Sequence, residues 1–434
     1  MKIPPRIIAP VLLAAACAGA LLAFLWWELT QSTLLLPRQQ KLIDLNFLGT
    51  PITSESDSPV DSGDLSLLHL REGDIFAMRG EWKHAQDEYQ QSVEVGGGLP
   101  ALRKLAQAQL QRRDSNGVES TVKKLRENGA RPEDILLLDV VIKLRNGELV
   151  EARKLLESAD DSPQKHYGLA LLSVVQGNHE EAQQELKTTE GGWEPVLRSY
   201  AHTLQSAYDE FALFPNGSDI HLITLLSRAL AQVQECELAL PLLIQVTSTK
   251  DDYRDAWVVQ GYCELVSERS EEALASLEHA YSLDPQKPEI QYFLARAYAA
   301  MNQQQNAITF FEYALSNGFQ PQGEVRRLIA RYALEIGNAG LALEQYDALT
   351  KEQDATLEMY QGYISAALLL GRPDDAFAKA QAATTQWPED ARSYELLGSV
   401  ALELDKREEA KIAFQKALSI NPNLSTAKEK LEGL

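Results

Sequence analysis

Apolar residues recur at helical spacing through most of the chain, and residues 391–424 show the pattern most clearly. The first half of this block places four of them on one helical face: Tyr394, Leu397, Ala401 and Leu404. After a polar turn at residues 405–407, the second half places three more on one face: Ala410, Phe414 and Ala417. Pro422 blocks continuation of the second helix. The block therefore predicts a helical hairpin.

Copies of this block follow one another along the chain. A small residue marks the second helix of each copy at intervals of 34 or 35 residues: Ala239, Ala273, Ala307, Ala342, Ala376 and Ala410. A fixed period of this length predicts a stack of identical helix pairs with an extended surface.

The last block resembles the tetratricopeptide repeat (TPR). The matching positions are an aromatic residue, Leu-Gly, Ala, an aromatic residue, Ala and Pro: Tyr394, Leu397, Gly398, Ala410, Phe414, Ala417 and Pro422. The resemblance implies an all-α fold, a right-handed superhelical solenoid of antiparallel helix pairs. It also implies that protein or peptide partners bind in a concave groove lined by the first helix of each pair.

The blocks divide the chain into segments. We predict degenerate TPR-like repeats over residues 66–193, six regular units over 220–424 and a C-terminal capping helix over 425–434. Residues 99–132 read as a degenerate helix pair with Gly117 and Gly129 as breakers. Residues 194–219 fit no block and predict one long helix, 196–214, closed by Pro215-Asn216-Gly217. A subdomain break near 194–219 is therefore expected.

The family's groove positions carry aromatic and basic residues in the regular units. The candidate partner-binding residues are Tyr262, Tyr292, Arg296, Arg327, Arg331 and Gln361. Arginine can form bidentate contacts with carboxylates, so the expected ligand is a segment of protein that contains acidic residues. The alternative is that these arginines pair locally with Glu289, Glu324 and Glu335.

The chemistry of the rest of the chain points away from catalysis. The seven histidines are scattered, there is no Gly-rich phosphate loop and no pair of cysteines has metal-binding spacing, so we predict no cofactor, no metal and no enzymatic activity. The formal charge of −21 disfavours nucleic acid as a partner. An enzymatic site in the atypical segment would have to use His202, Asp209 and Glu210.

The N-terminus predicts a membrane anchor. Residues 7–27 contain no charge and at about 1.5 Å per residue span roughly 30 Å, the thickness of a hydrocarbon core. Lys2 and Arg6 keep residues 1–6 in the cytoplasm and so export the repeats. A cleaved signal peptide ending near residues 18–20 and a lipoprotein box at 14–17 are the alternatives. Residues 28–65 then form a juxtamembrane segment and a flexible linker.

Cys236 and Cys263 fall in adjacent blocks and can approach each other. We interpret them as two small buried apolar residues, because cysteine is among the most buried residue types, with a disulfide as the alternative.

These features favour a non-enzymatic, membrane-anchored scaffold in the cytoplasmic membrane, with its repeats most readily placed outside the cytoplasm. It would mediate protein–protein interactions in the assembly of a cell-envelope, secretion or pilus-type complex. The alternative is a cytoplasm-facing adaptor that recruits an enzyme or chaperone.

Overall fold

The computed structural model describes residues 65–78, 81–214 and 216–434, and these ranges are all-helical, with 22 helices. The described residues divide into two compact units, the first ending at residue 268 and the second covering residues 269–434. The helices of the first unit are α1 (Leu65–Met78), α2 (Trp82–Glu94), α3 (Gly98–Gln111), α4 (Ser115–Glu127), α5 (Pro132–Arg145), α6 (Leu149–Ser158), α7 (Pro163–Gln176), α8 (His179–Glu190), α9 (Pro195–Ala212), α10 (Asp219–Gln232), α11 (Cys236–Thr249) and α12 (Arg254–Val266). Those of the second unit are α13 (Ser270–Leu283), α14 (Pro288–Ala300), α15 (Gln304–Ser316), α16 (Gln322–Glu335), α17 (Ala339–Leu349), α18 (Leu357–Leu369), α19 (Pro373–Gln386), α20 (Ala391–Glu403), α21 (Arg407–Ile420) and α22 (Ser425–Glu432).

The period of the alanines reappears in the backbone. One residue with a left-handed conformation, φ between 55° and 77°, ends the first helix of each regular pair: Gln234, Glu268, Asn302, Gly337, Gly371 and Asp405. Each precedes its marker alanine by five residues. The left-handed residue reverses the chain direction. The amide of the following residue can then donate a hydrogen bond to a carbonyl near the end of the helix, as Lys406 N does to Ala401 O at 2.9 Å. A constant turn explains why one small residue holds its register.

The marker alanines form the core between paired helices. All six are 0% exposed. In the last pair, a Cβ on Gly398 would lie 2.7 Å from Cε1 of Phe414, closer than side chains tolerate. Small residues at these positions therefore allow the two helices of a pair to approach closely.

The region of looser phase also consists of helix pairs. α3 and α4 are joined at Arg113, which has φ 59°, and Val118 occupies the alanine position with no exposure. The prediction of a breaker at Gly117 was wrong. Gly117 lies in the first turn of α4, where its amide donates to Asp114 Oδ1 at 2.9 Å, so the side-chain cap stabilises the helix start. Gly129, with φ 81°, does separate α4 from α5.

A long unpaired helix interrupts the pairs of the first unit. α9 covers 18 residues where the sequence predicts one long helix, and it packs against α8 and α10. The boundary between the two compact units, however, falls at residue 268 rather than near this helix. At the other end of the chain, α22 occupies the predicted cap. Ala427 is fully buried there, and Leu431 and Leu434 pack against the last pair.

The first unit also contains contacts between helices that are distant in sequence. α11 touches α5 and α7. At that contact the Arg145 guanidinium donates to Glu235 Oε2 at 3.0 Å, although the two residues are 90 positions apart. Both side chains are 7% exposed. This part of the chain therefore departs from a solenoid in which each repeat contacts only its neighbours.

A disulfide joins Cys236 and Cys263, and this corrects our interpretation of two unpaired cysteines. Cys236 begins α11 and Cys263 lies on α12, which packs directly against it. The helix packing brings their Cα atoms to 5.0 Å, within the range that a disulfide requires.

The proposed anchor at residues 7–27 and the linker up to residue 64 lie outside the described residues. Of the helices in the described ranges, none has the length and apolar character needed to cross a bilayer.

Candidate partner-binding site

Four of the six candidate residues lie exposed on first helices of the second unit: Arg296, Arg327, Arg331 and Gln361. Arg296 is on α14, the next two are on α16 and Gln361 is on α18. On α16 a spacing of four residues places Arg327 and Arg331 on one face.

The two arginines of α16 differ in how they are held. The Arg331 guanidinium donates to Tyr332 Oη at 2.9 Å, lies 4.7 Å from the centroid of that ring and is 3.9 Å from Glu335 Oε1. Arg327 makes no hydrogen bond or ion pair with any described residue. Arg327 therefore offers all five of its N–H donors to a ligand.

Tyr292 supports this surface from below rather than lining it. The tyrosine is 0% exposed, and its ring stacks on Phe319 with centroids 4.4 Å apart. Its hydroxyl donates to Glu324 Oε1 at 2.6 Å, which links α14 to α16. Burial raises the pKa of this hydroxyl well above its ordinary range, so it remains a donor. The Arg296 guanidinium lies 6.0 Å from the ring centroid, at the edge of cation–π range.

Tyr262 belongs to the first unit and is also buried, at 8% exposure. Neither tyrosine is therefore open to a ligand, although both were predicted to line the groove. A large aromatic ring at such a position can pack beneath neighbouring side chains instead of pointing towards solvent.

Local pairing accounts for one of the arginines only. Of the three glutamates proposed as local partners, Glu335 lies near Arg331. Glu324 accepts from Tyr292, and Glu289 lies 3.6 Å from Lys287 Nζ. Arg296 and Arg327 form no ion pair with any acid in the described ranges.

Gln361 lines a groove of about 360 Å³ between α18, α20 and α22. Ser365 and Ile364 share its α18 wall, and Arg392 and Lys430 border it from α20 and α22. Lys430 Nζ donates to Ser399 Oγ at 2.8 Å, so the capping helix forms one wall of the groove. Three glutamates line it as well: Glu358, Glu395 and Glu403. The groove therefore carries both charges on a lining that also includes apolar side chains, among them Leu357, Leu368 and Leu396.

Three residues that line the groove were not among the sequence candidates: Arg392, Glu395 and Ser399. The signal was present, because they occupy the second, fifth and ninth positions of the last block, and the fifth and ninth positions supplied the candidates in earlier blocks. Lys430 was missed because the capping helix lies beyond the last complete block.

The residues of the enzymatic alternative do not converge. His202 Nδ1 lies 3.0 Å from Glu190 Oε1, Asp209 accepts from Gln205 at 3.0 Å, and Glu210 pairs with Arg228. Each side chain has a separate structural partner, so this segment assembles no catalytic group.

Family models described as tetratricopeptide repeat match residues 224–288 and 327–391, 267–332, and 391–424. Residues 224–424 are tetratricopeptide repeats. Proteins of this repeat class are generally non-enzymatic and bind protein or peptide partners, so the TPR units here form a protein–protein interaction scaffold.

Solved structures of other proteins resemble parts of this chain at low identity and with TM-scores below 0.5. YrrB, described as a TPR protein with an unusual peptide-binding site, is 20% identical with a TM-score of 0.38, over 44% of this chain and 98% of its own. PilW, a type IV pilus biogenesis factor, is 16% identical with a TM-score of 0.37, over 50% and 99%. Yeast Tom70 is 12% identical with a TM-score of 0.30, over 86% and 95%. No curated protein gives a significant match to the sequence.

Proposed function

We propose that the second unit binds an extended protein segment carrying carboxylates along the exposed face of α14 and α16. The observation that carries this proposal is Arg327, which is exposed and unpaired in a chain of net charge −21. An acidic protein ordinarily pairs its arginines internally, as most of the others in the described ranges do. A guanidinium left open on a helix face is suited to a bidentate contact with a partner's carboxylate.

Arg296 and Arg331 extend this cationic surface, and the two differ in preorganisation. Contact with Tyr332 holds the Arg331 side chain, so less rotamer entropy is lost when it binds. Exposed ion pairs contribute about 0.2–1 kcal/mol each, so several contacts are needed for useful affinity. The groove beside Gln361 supplies further hydrogen-bonding groups in the same unit.

We further propose that residues 7–27 anchor the chain in the cytoplasmic membrane with the TPR units outside the cytoplasm. The uncharged stretch and the preceding Lys2 and Arg6 support this topology. The Cys236–Cys263 disulfide supports it independently, because disulfides persist in oxidising compartments and are rare in the cytosol. A tether also raises the effective concentration of a membrane partner, which suits the assembly of an envelope, secretion or pilus-type complex.

The groove proposal is tested by site-specific photocrosslinking in cells. A photoreactive residue at Gln361 should give a discrete adduct that disappears when Arg327→Glu and Arg331→Glu are combined. The matched control is Lys411→Glu with Lys416→Glu, which makes the same change in charge on α21, the second helix of a pair in the same unit. Equal adduct in both double variants would refute the arginine surface.

The topology proposal has its own test. An alkaline phosphatase fused after residue 64 of the tether should be active only if the repeats are exported. An inactive fusion, with activity of a cytoplasmic reporter at the same site, would establish the cytoplasm-facing adaptor instead.

A further inference from the structure

A histidine and two glutamates meet in the first described helix pair. His69 and Glu72 lie one turn apart on α1, and Glu88 lies opposite them on α2. His69 Nδ1 is 2.7 Å from Glu88 Oε2 and 3.9 Å from Glu72 Oε2. Both carboxylates therefore face the same ring nitrogen.

These distances lie near those between ligand atoms around a small divalent cation. Zinc binds imidazole nitrogen and carboxylate oxygen at about 2.0–2.2 Å, so neighbouring ligand atoms of a tetrahedral site lie roughly 3.3 Å apart. The two measured separations bracket that value, and rotation of two flexible glutamate side chains would close the difference. We propose that His69, Glu72 and Glu88 bind a zinc ion, with water in the remaining coordination position.

A second repeat of the first unit shows what distinguishes this site. His166 on α7 occupies the same place relative to Glu185 on α8, 19 residues later, as His69 does to Glu88. There the second carboxylate, Asp161, contacts the other ring nitrogen, Nε2, at 2.8 Å. Two carboxylates on opposite sides of an imidazole cannot share one ion with it. The same histidine–glutamate pair thus has its second carboxylate beside the shared ring nitrogen in one repeat and beside the opposite ring nitrogen in the other.

Access and ligand chemistry agree with the proposal. The side chains of His69 and Glu88 are each 26% exposed and that of Glu72 is 46% exposed, so an ion can enter from solvent. A mixed imidazole and carboxylate set suits zinc better than calcium or magnesium, which prefer oxygen ligands alone. A bound ion would tie α1 to α2 in the pair next to the proposed tether. The sequence did not reveal the site, because its ligands come from two helices.

The test is calorimetric titration of zinc into the full-length chain and its variants. Wild type should bind one ion that calcium does not displace. His69→Gln, which can still hydrogen-bond to Glu88, should weaken the affinity at least about tenfold. Glu72→Gln should weaken it as well while leaving the 2.7 Å contact of the unliganded protein in place.

His166→Gln is the matched control and should bind zinc as wild type does. Wild-type affinity in both His69→Gln and Glu72→Gln would overturn the site, and so would equal losses in His69→Gln and His166→Gln. Thermal unfolding with and without zinc supplies a second readout, because a ligand that binds only the folded state raises the unfolding midpoint.

Discussion

Individual arginines of the two units lie in contrasting surroundings. In the first unit, Arg145 is 7% exposed and donates to Glu235, which immediately precedes α11. Arg113 Nε lies 2.7 Å from Glu237, in the first turn of the same helix. In the second, Arg296 and Arg327 are exposed and unpaired with acids in the described ranges. Arg145 therefore joins distant helices within the first unit, whereas Arg296 and Arg327 leave N–H donors open to solvent on the second.

The difference follows from which helices pack together in each unit. In the second unit each helix packs against its neighbours in sequence, and Arg296 and Arg327 remain exposed. In the first unit α11 also touches α5 and α7, and the buried side chains of Arg145 and Glu235 pair across that contact. The first unit thus uses charged side chains for a long-range internal contact.

The strongest way to break this comparison is Arg145→Met. Burial raises the pKa of Glu235, an effect that the Arg145 guanidinium opposes, so the substitution leaves an uncompensated buried carboxylate. Arg145 also donates to the backbone carbonyl of Leu110 at 3.0 Å. We expect a loss of about 3–5 kcal/mol in the free energy of unfolding of the first unit, measured by denaturant titration.

Arg392→Met is the matched exposed change in the second unit. Arg392 pairs with Asp390 at 2.7 Å, but its side chain is 60% exposed, so its loss should cost under about 1 kcal/mol. Equal effects of the two substitutions would contradict the contrast between a buried arginine and an exposed one.

A second prediction concerns the regular packing of the second unit. A Cβ on Gly362 of α18 would lie 2.3 Å from Cζ of Tyr346 on α17. Gly362→Ala therefore forces the ring or the helix to move, and we expect about 1–3 kcal/mol of destabilisation by thermal or chemical unfolding. Gly340→Ala on α17 is the control, because its Cβ would have no neighbour closer than 3.8 Å. A neutral Gly362→Ala would show that the pairs tolerate looser contact than the structure implies.

The sequence predicts the regular pairs well because local signals repeat in register. The alanine period marks each second helix, and Gly398 with Phe414 marks the closest helix approach. Each signal operates within one hairpin, where residues that pack together are also close in sequence. The same register placed four of the candidate residues at exposed positions.

Contacts made outside the register were not predictable. Arg145 and Glu235 are 90 residues apart, so no local pattern relates them. Tyr292 is buried and Phe319 stacks on it. Phe319 lies in the loop between α15 and α16, within the one interval between marker alanines that has 35 residues, from Ala307 to Ala342. One extra residue in a connecting loop is enough to place a ring that the repeat pattern does not describe.

The smallest predicted effect is a pH dependence in the first unit, at the junction of α8 with the unpaired helix α9. His179 Nδ1 lies 3.1 Å from Tyr208 Oη, and burial lowers the pKa of the imidazole. A histidine with a depressed pKa in the folded state contributes stability above its unfolded pKa of about 6.5, and that contribution is lost as the pH falls through the folded value. Unfolding midpoints measured between pH 7.5 and 5 should therefore decline less in His179→Gln than in wild type. His202→Gln, whose side chain is 75% exposed on α9, should keep the wild-type decline. If His179→Gln keeps it as well, the pH dependence arises elsewhere and the junction is insensitive to protonation.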